Sequence, residues 1–193
     1  MKSLEEYIAL AAKDGRARSG IVLGIRMILR GLRELGIEEV PRPERTLLAI
    51  VETDRCLPDA VELIAGCRLG NRTLKHKNLG KMAVTFVDVE TNRAIRLAAR
   101  ESGYREALAK FPDVEKEEAL SRAYREFSDE ELFTRQWVRV ELGPEELPGH
   151  RGQRVVCAAC GEGVSFGREV NRDGRLLCRT CAGERYFQPL PQG

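Results

Sequence analysis

The residues best suited to chemistry in this 193-residue chain are its six cysteines, and their spacing sorts them into two groups. Cys157-x-x-Cys160 and Cys178-x-x-Cys181 are separated by 17 residues. A Cys-x-x-Cys turn presents two sulfurs from one knuckle, and two knuckles complete the tetrahedral thiolate shell that zinc prefers. Such a shell has no open position, so the expected cofactor is a structural zinc rather than a catalytic one. A redox dithiol pair or an iron–sulfur site would use the same residue types and fits the spacing less well. Between the knuckles, "SFGREVNRDGRLLC" reads as a hairpin with "NRDG" at its tip, a zinc-ribbon layout. The segment has too few large apolar residues to fold unaided. Metal binding is expected to contribute on the order of 10 kcal/mol or more. Residues 151–193 hold seven arginines against four acids, so nucleic acid is an open partner.

Cys56 and Cys67 stand apart. Cys56 follows the apolar run "TLLAIVET" and precedes a helix start marked by Pro58. A helix N-terminus favours a thiolate, so Cys56 is a candidate reactive group or ligand of a core metal site. The alternative is packing as a small hydrophobe. Cys67, in "AGCRLG", either pairs with Cys56 as a two-thiolate site or packs. Asp54 and Asp59 flank Cys56 as oxygen ligands or as helix caps. Arg16 and Arg18, in "KDGRARSGIVLGIR", precede another helix N-terminus, where free N–H groups attract anions. Together with Lys77 and Lys81 they are candidates to hold a phosphate or carboxylate; a solvated loop is the plainer reading. His76 lies beside the lysine segment, and His150 in a linker. No general acid–base pair, nucleophile triad or glycine-rich nucleotide loop is evident.

The elements that must position these groups follow from periodicity. Residues 3–12 read as a short helix. Ser19 is expected to cap a helix over residues 20–35 with Ile21, Ile25, Ile28, Leu32 and Leu35 as its apolar stripe, stopped by Gly36. Arg26, Arg30 and Arg33 lie on another face, expected to be solvated. "TLLAIVET" predicts a strand buried on both faces. Pro58 opens a helix through Ala65, which Gly66 stops. The segment "RLGNRTLKHKNLGK" is basic and expected as a solvated loop. "KMAVTFVDVE" and "AIRLAAR" predict an antiparallel pair around "TNR". Residues 101–142 are mainly helical, with Asp113 and Ser128 as candidate caps, and "QWVRVEL" a strand leading out. Residues 143–153 read as a linker and 154–193 as the ribbon. The fold class is α+β: a mixed or antiparallel sheet with packed helices, plus a zinc-ribbon module. No run approaches the ~18 apolar residues of a membrane helix. The start, "MKSLEEYIAL", has acids where a signal peptide is basic and then apolar, so a cytoplasmic protein is expected.

Taken together, "GIVLGIR", "AIVETDRCLPDAVELIAGCRLGNRTLKHKNLGK" and "AVTFVDVETNRAIRL" resemble the formylmethanofuran dehydrogenase E-subunit family over about residues 5–100. Gly20, Gly24 and Arg26 match its Gly-x-x-x-Gly-x-Arg helix. Cys56, Asp59, Ala60, Gly66, Cys67, Gly70, Lys77, Gly80 and Lys81 match its later motifs. The resemblance implies an α+β core, commonly a homodimer, with a metal site of histidines and cysteines. It also implies an accessory, redox-associated role beside molybdenum or tungsten oxidoreductase subunits that carry the catalysis. One motif departs. Where the family has His-Gly-His-x-Cys-Pro-Gly, this chain has Asp14-Gly15-Arg16-Ala17-Arg18-Ser19-Gly20. Arginine stays protonated and cannot ligate zinc. The core metal site is therefore expected to be lost or altered, leaving an arginine-lined anion or cofactor site as one alternative and a zinc-ribbon regulator of nucleic acid or protein as another.

Overall fold

The computed structural model describes residues 1–12, 15–42 and 45–190, in two compact units, Met1–Glu141 and Leu142–Gly193. In the first unit α1 (Leu4–Ala11) starts at a capping box: the Ser3 hydroxyl accepts the Glu6 N–H at 3.3 Å, and the Glu6 carboxylate accepts the Ser3 N–H at 2.8 Å. Next is α2 (Ser19–Leu35), closed by Gly36 in the left-handed region at φ 73°. Ser19 is not its cap. Arg18 takes that position without a side-chain bond, and the Glu117 carboxylate accepts the Ser19 N–H from far along the chain.

Strand β1 (Leu47–Val51) leads through residues 52–56 into α3 (Leu57–Ala65), which returns the chain to β2 (Leu74–His76), parallel to β1. The basic segment expected as a loop thus contributes an edge strand. The hairpin of β3 (Ala83–Asp88) and β4 (Arg93–Ala99) pairs antiparallel with β1. After α4 (Glu101–Lys110), α5 (Lys116–Glu126) and α6 (Asp129–Leu132), β5 (Phe133–Val138) closes the sheet in the order β2-β1-β3-β4-β5. The segment 101–142, expected as a helical extension, therefore lies within the first unit as far as Glu141 and supplies the sheet's other edge. Glu115, not Asp113, caps α5 by accepting the Glu117 and Glu118 N–H groups, while Ser128 forms its capping box with Glu131. Both faces of β1 are covered, with Leu47, Leu48, Ala49 and Val51 buried. Among the described residues no helix is long and apolar enough to cross a membrane.

Helix α2 touches α1, α3, α5, β3 and β4. Val22, Ile25, Met27, Ile28 and Leu32 are fully buried, so its apolar surface is wider than a single stripe. Close approach depends on glycine. A Cβ on Gly31 would stand 2.6 Å from the Phe86 ring, and one on Gly24 3.1 Å from Ala60 Cβ. The arginine face is not solvated. Arg26 donates to the Tyr124 carbonyl at 2.9 Å, the Phe127 carbonyl at 2.6 Å and Asp129 at 2.6 Å. Arg30 donates to Glu34 at 2.8 Å and Asp129 at 3.1 Å. Arg26 thereby satisfies the carbonyls that the end of α5 leaves open. Only Arg33 is well exposed.

The second unit holds a 3-10 turn (Pro144–Glu146), within the segment expected as a linker, and two small hairpins. These are β6 (Val155–Val156) with β7 (Gly163–Val164), and β8 (Val170–Arg172) with β9 (Arg175–Leu177).

Two stability outcomes follow. Gly31→Ala is expected to cost about 1–3 kcal/mol, because the ring beneath it has nowhere to move. Asp129→Ala removes the carboxylate shared by Arg26 and Arg30 and is expected to cost about 1.5–3 kcal/mol. Urea unfolding checks both; a change within about 0.5 kcal/mol, the range of neutral surface substitutions, would refute either.

Candidate functional site

The ribbon is built by its hairpins. Cys157 follows β6 and Cys160 precedes β7; Cys178 follows β9 and Cys181 lies one turn on. Asp173 (φ 51°) and Gly174 (φ 79°) form the tip of the second hairpin, both with positive φ, and Asn171 Oδ1 accepts the Gly174 N–H at 3.0 Å. All four sulfurs lie within 4.8 Å of one another, with Cys160 and Cys178 at 3.9 Å. A tetrahedron with Zn–S bonds of about 2.3 Å has edges of about 3.8 Å, so the cluster has the right size for a four-thiolate ion. Backbone hydrogen bonds from Cys178, Cys160 and Ala159 lower the Cys157 thiol to about 6. The side chains of Cys178 and Cys160 push Cys181 up to about 12. Four adjacent thiols resist joint ionisation, and a bound divalent cation would favour the thiolate at all four. Among the described residues this is the one cluster of three or more such ligands.

The second candidate lies in the first unit, where α2 and α3 run side by side in the same direction. A Cβ on Gly20 would meet Cys56 Sγ at 3.0 Å, and one on Gly24 would meet Ala60 Cβ at 3.1 Å. Successive turns of the two helices are thus in register, and their N-termini lie together. Helix N-termini carry partial positive charge, so the pairing creates a shared positive end. Cys56 is the N-cap of α3, with φ 51° and its sulfur over the first turn of α2. Around it opens a cavity of about 660 Å³ lined by Arg16, Arg18, Arg55, Cys56 and Asp59, with apolar walls that include Leu10 and Leu63. Its charged lining is three arginines and one carboxylate; Arg16 and Arg18 also border a neighbouring cavity lined by Glu5, Glu115, Glu117 and Glu118.

The structure brings together Arg16, Arg18, Cys56 and Asp59 among the sequence candidates, and separates the others. Lys77 and Lys81 are outside this cavity. Their backbone N–H groups bond the carbonyls of Val51 and Glu52, and Lys81 lines a different cavity with Leu23, Tyr104 and Tyr124. Cys67 cannot pair with Cys56. The two sit at opposite ends of α3, a helix roughly 14 Å long. Cys67 is buried, donates to the Leu47 carbonyl at 3.5 Å, and has its thiol pushed up to about 12 by burial. Asp14, the first position of the departing motif, falls outside the described residues. His76 ends β2 on the surface. Arg55 escaped the sequence reading; its position beside Cys56 in "TDRCLPD" was the available signal.

Residues 15–140 match the family described as FmdE, molybdenum formylmethanofuran dehydrogenase operon. The chain belongs to the FmdE family. The match reaches beyond residue 100 through β5, in agreement with the extent of the first unit. Residues 151–187 match the prokaryotic dksA/traR C4-type zinc finger. A solved relative from Syntrophus aciditrophicus, described as a tungsten formylmethanofuran dehydrogenase FmdE-like protein, superposes with a TM-score of 0.61 at 26% identity, covering 97% of this chain and 96% of the relative. A curated relative from Archaeoglobus fulgidus, named a probable S-adenosyl-L-methionine-binding protein, is 33% identical over 93% of this chain. The chain spans about half the length of that relative, 53%.

The finger's dependence on metal is directly measurable. Stripping metal with a strong chelator is expected to expose residues 151–187 of this FmdE-family protein to protease while the unfolding transition of residues 1–141 persists. Unchanged protease resistance in metal-free protein would show that the finger folds without an ion.

Proposed function

We propose that this FmdE-family chain is an accessory ligand-binding protein that holds a small anion in its first unit and a structural zinc at the four finger cysteines. The observation that carries the reading is the convergence of Arg16, Arg18 and Arg55 on the paired N-termini of α2 and α3. The family's histidine and cysteine positions at residues 16 and 18 carry arginine here, so the positive end is suited to an anion in place of a metal held by those groups. The role extends the family resemblance. The chain would act, as a cytoplasmic homodimer, beside the subunits of a molybdenum or tungsten oxidoreductase, with the redox chemistry residing in its partners.

The Archaeoglobus relative's name suggests one ligand. S-adenosyl-L-methionine carries a carboxylate for the arginines, cationic groups for Asp59, and apolar surface for Leu10 and Leu63. The nucleic-acid reading of the finger draws less support. Arg172 donates to the Ala182 carbonyl at 2.6 Å, Arg175 to the Ala158 carbonyl at 3.4 Å, and Arg179 pairs with Glu184 at 3.5 Å. Three of the seven finger arginines are thereby engaged inside the module.

Calorimetry with inorganic phosphate and with S-adenosyl-L-methionine tests the core reading. At least one is expected to bind, and the Arg16→Ala/Arg18→Ala double variant to weaken that binding about tenfold or more. Both arginines are exposed, so the variant should fold normally. No binding of either probe, or affinity unchanged in the variant, overturns the anion site.

A further inference from the structure

The cavity holds a nucleophile that anion binding alone does not use. Cys56 is half-buried on its wall, with its sulfur against Gly20 and with Arg16, Arg18 and Arg55 lining the same space. A small molecule attracted by those arginines is brought within the cavity that contains the thiol. Cys67 is the other cysteine of this unit. Buried at the far end of α3, it cannot reach a group bound to Cys56.

We propose that Cys56 is a covalent capture point for small acidic disulfides, so that the anion site doubles as a thiol-modification site. The inference rests on the proposed anion site, since the same three arginines select the reagent. In the reaction, the Cys56 thiolate attacks one sulfur of the incoming disulfide along the S–S axis. That S–S bond breaks as a new one forms to Cys56. The departing half leaves as a thiolate and takes up a proton from solvent. Cys56 is oxidised to a mixed disulfide, and the incoming disulfide, reduced in the exchange, is the oxidant. With no cysteine of its own unit able to attack the adduct, the captured half stays until an external thiol removes it. While present it fills the cavity and displaces other anions.

The chemistry predicts selectivity by charge. A disulfide bearing carboxylates is concentrated by the positive cavity, whereas one bearing ammonium groups is repelled. Local fields of this kind change encounter rates by about tenfold or more at low salt. Removing Arg55, which is exposed, weakens that field while leaving the thiol in place.

The experiment uses the full metal-loaded chain. It is exposed at low ionic strength to oxidised glutathione or to cystamine, and adducts are followed by intact and peptide mass spectrometry. Each rate is divided by that of the same reagent with a short unstructured cysteine peptide. The expected result is a single glutathionyl adduct on Cys56, absent in Cys56→Ser, with a normalised preference for oxidised glutathione of about tenfold. In Arg16→Ala/Arg18→Ala/Arg55→Ala the preference should fall toward one, and in Arg55→Ala alone part of the way. An adduct elsewhere, equal normalised rates, or a preference that survives the triple variant overturns the proposal. The wild-type comparison decides the matter even if a variant fails to fold. Phosphate or S-adenosyl-L-methionine binding without Cys56 capture would refute this inference alone and leave the anion site standing.

Discussion

The parallel contact between α2 and α3 is the constraint on which the rest of the first unit depends. Gly20 and Gly24 are one helical turn apart, and both face the first turns of α3. With no Cβ at either position, Cys56 and Ala60 approach the α2 backbone closely. A third glycine, Gly31, admits the Phe86 ring from the sheet. Arg26 leaves the helix on another side and anchors the end of α5 and the start of α6. The family's Gly-x-x-x-Gly-x-Arg motif is therefore a packing instruction: two glycines seat α3, and one arginine secures the later helices. Its by-product is electrostatic, because seating two helices in the same direction puts two positive ends side by side.

Such an end requires compensation, and the chain supplies it incompletely. Glu117 reaches from α5 to accept the Ser19 N–H, closing one donor at the start of α2. Asp59 contributes a carboxylate from the first turn of α3. Against these stand Arg16, Arg18 and Arg55, which add charge where the helices already place it. Arg16 and Arg18 also border Glu5, Glu115, Glu117 and Glu118, which offset part of that charge. The proposed anion would supply the rest.

Local patterns were legible in the sequence, and long-range ones were not. The finger was readable because its ligands and its turn, "NRDG", are close together, and a Cys-x-x-Cys knuckle is set by a few consecutive residues. The β3–β4 hairpin and the Gly36 and Gly66 stops were readable for the same reason. The Arg26 and Arg30 face was misread because helical periodicity separates faces without saying which of them another element covers. Its partners, Tyr124, Phe127 and Asp129, are about a hundred residues away. The Glu117 cap was hidden likewise, and so was β2, a three-residue strand whose lysine and histidine disguise it as a loop. Around the candidate cavity, Arg16, Arg18, Cys56 and Asp59 were candidates from the sequence, while Arg55, Cys67 and the lysines could be sorted only by position.

Cys56 and Cys67 show how one helix can place the same residue type in different surroundings. Cys56 meets the positive end of α3, a cavity and three guanidiniums. Cys67 lies just past the other end, where the sheet buries it and its proton is held by a backbone carbonyl. Cys67 also borders a cavity lined by Arg42, Arg45 and Arg68, yet its burial still disfavours the thiolate. Nine residues of helix thus separate an accessible sulfur from an inert one. Because α3 is the crossover between two parallel strands, its N-terminus must lie at the carboxyl end of β1. The half-buried cysteine therefore lines a cavity at the carboxyl end of β1, and the buried one lies at the other end of the crossover.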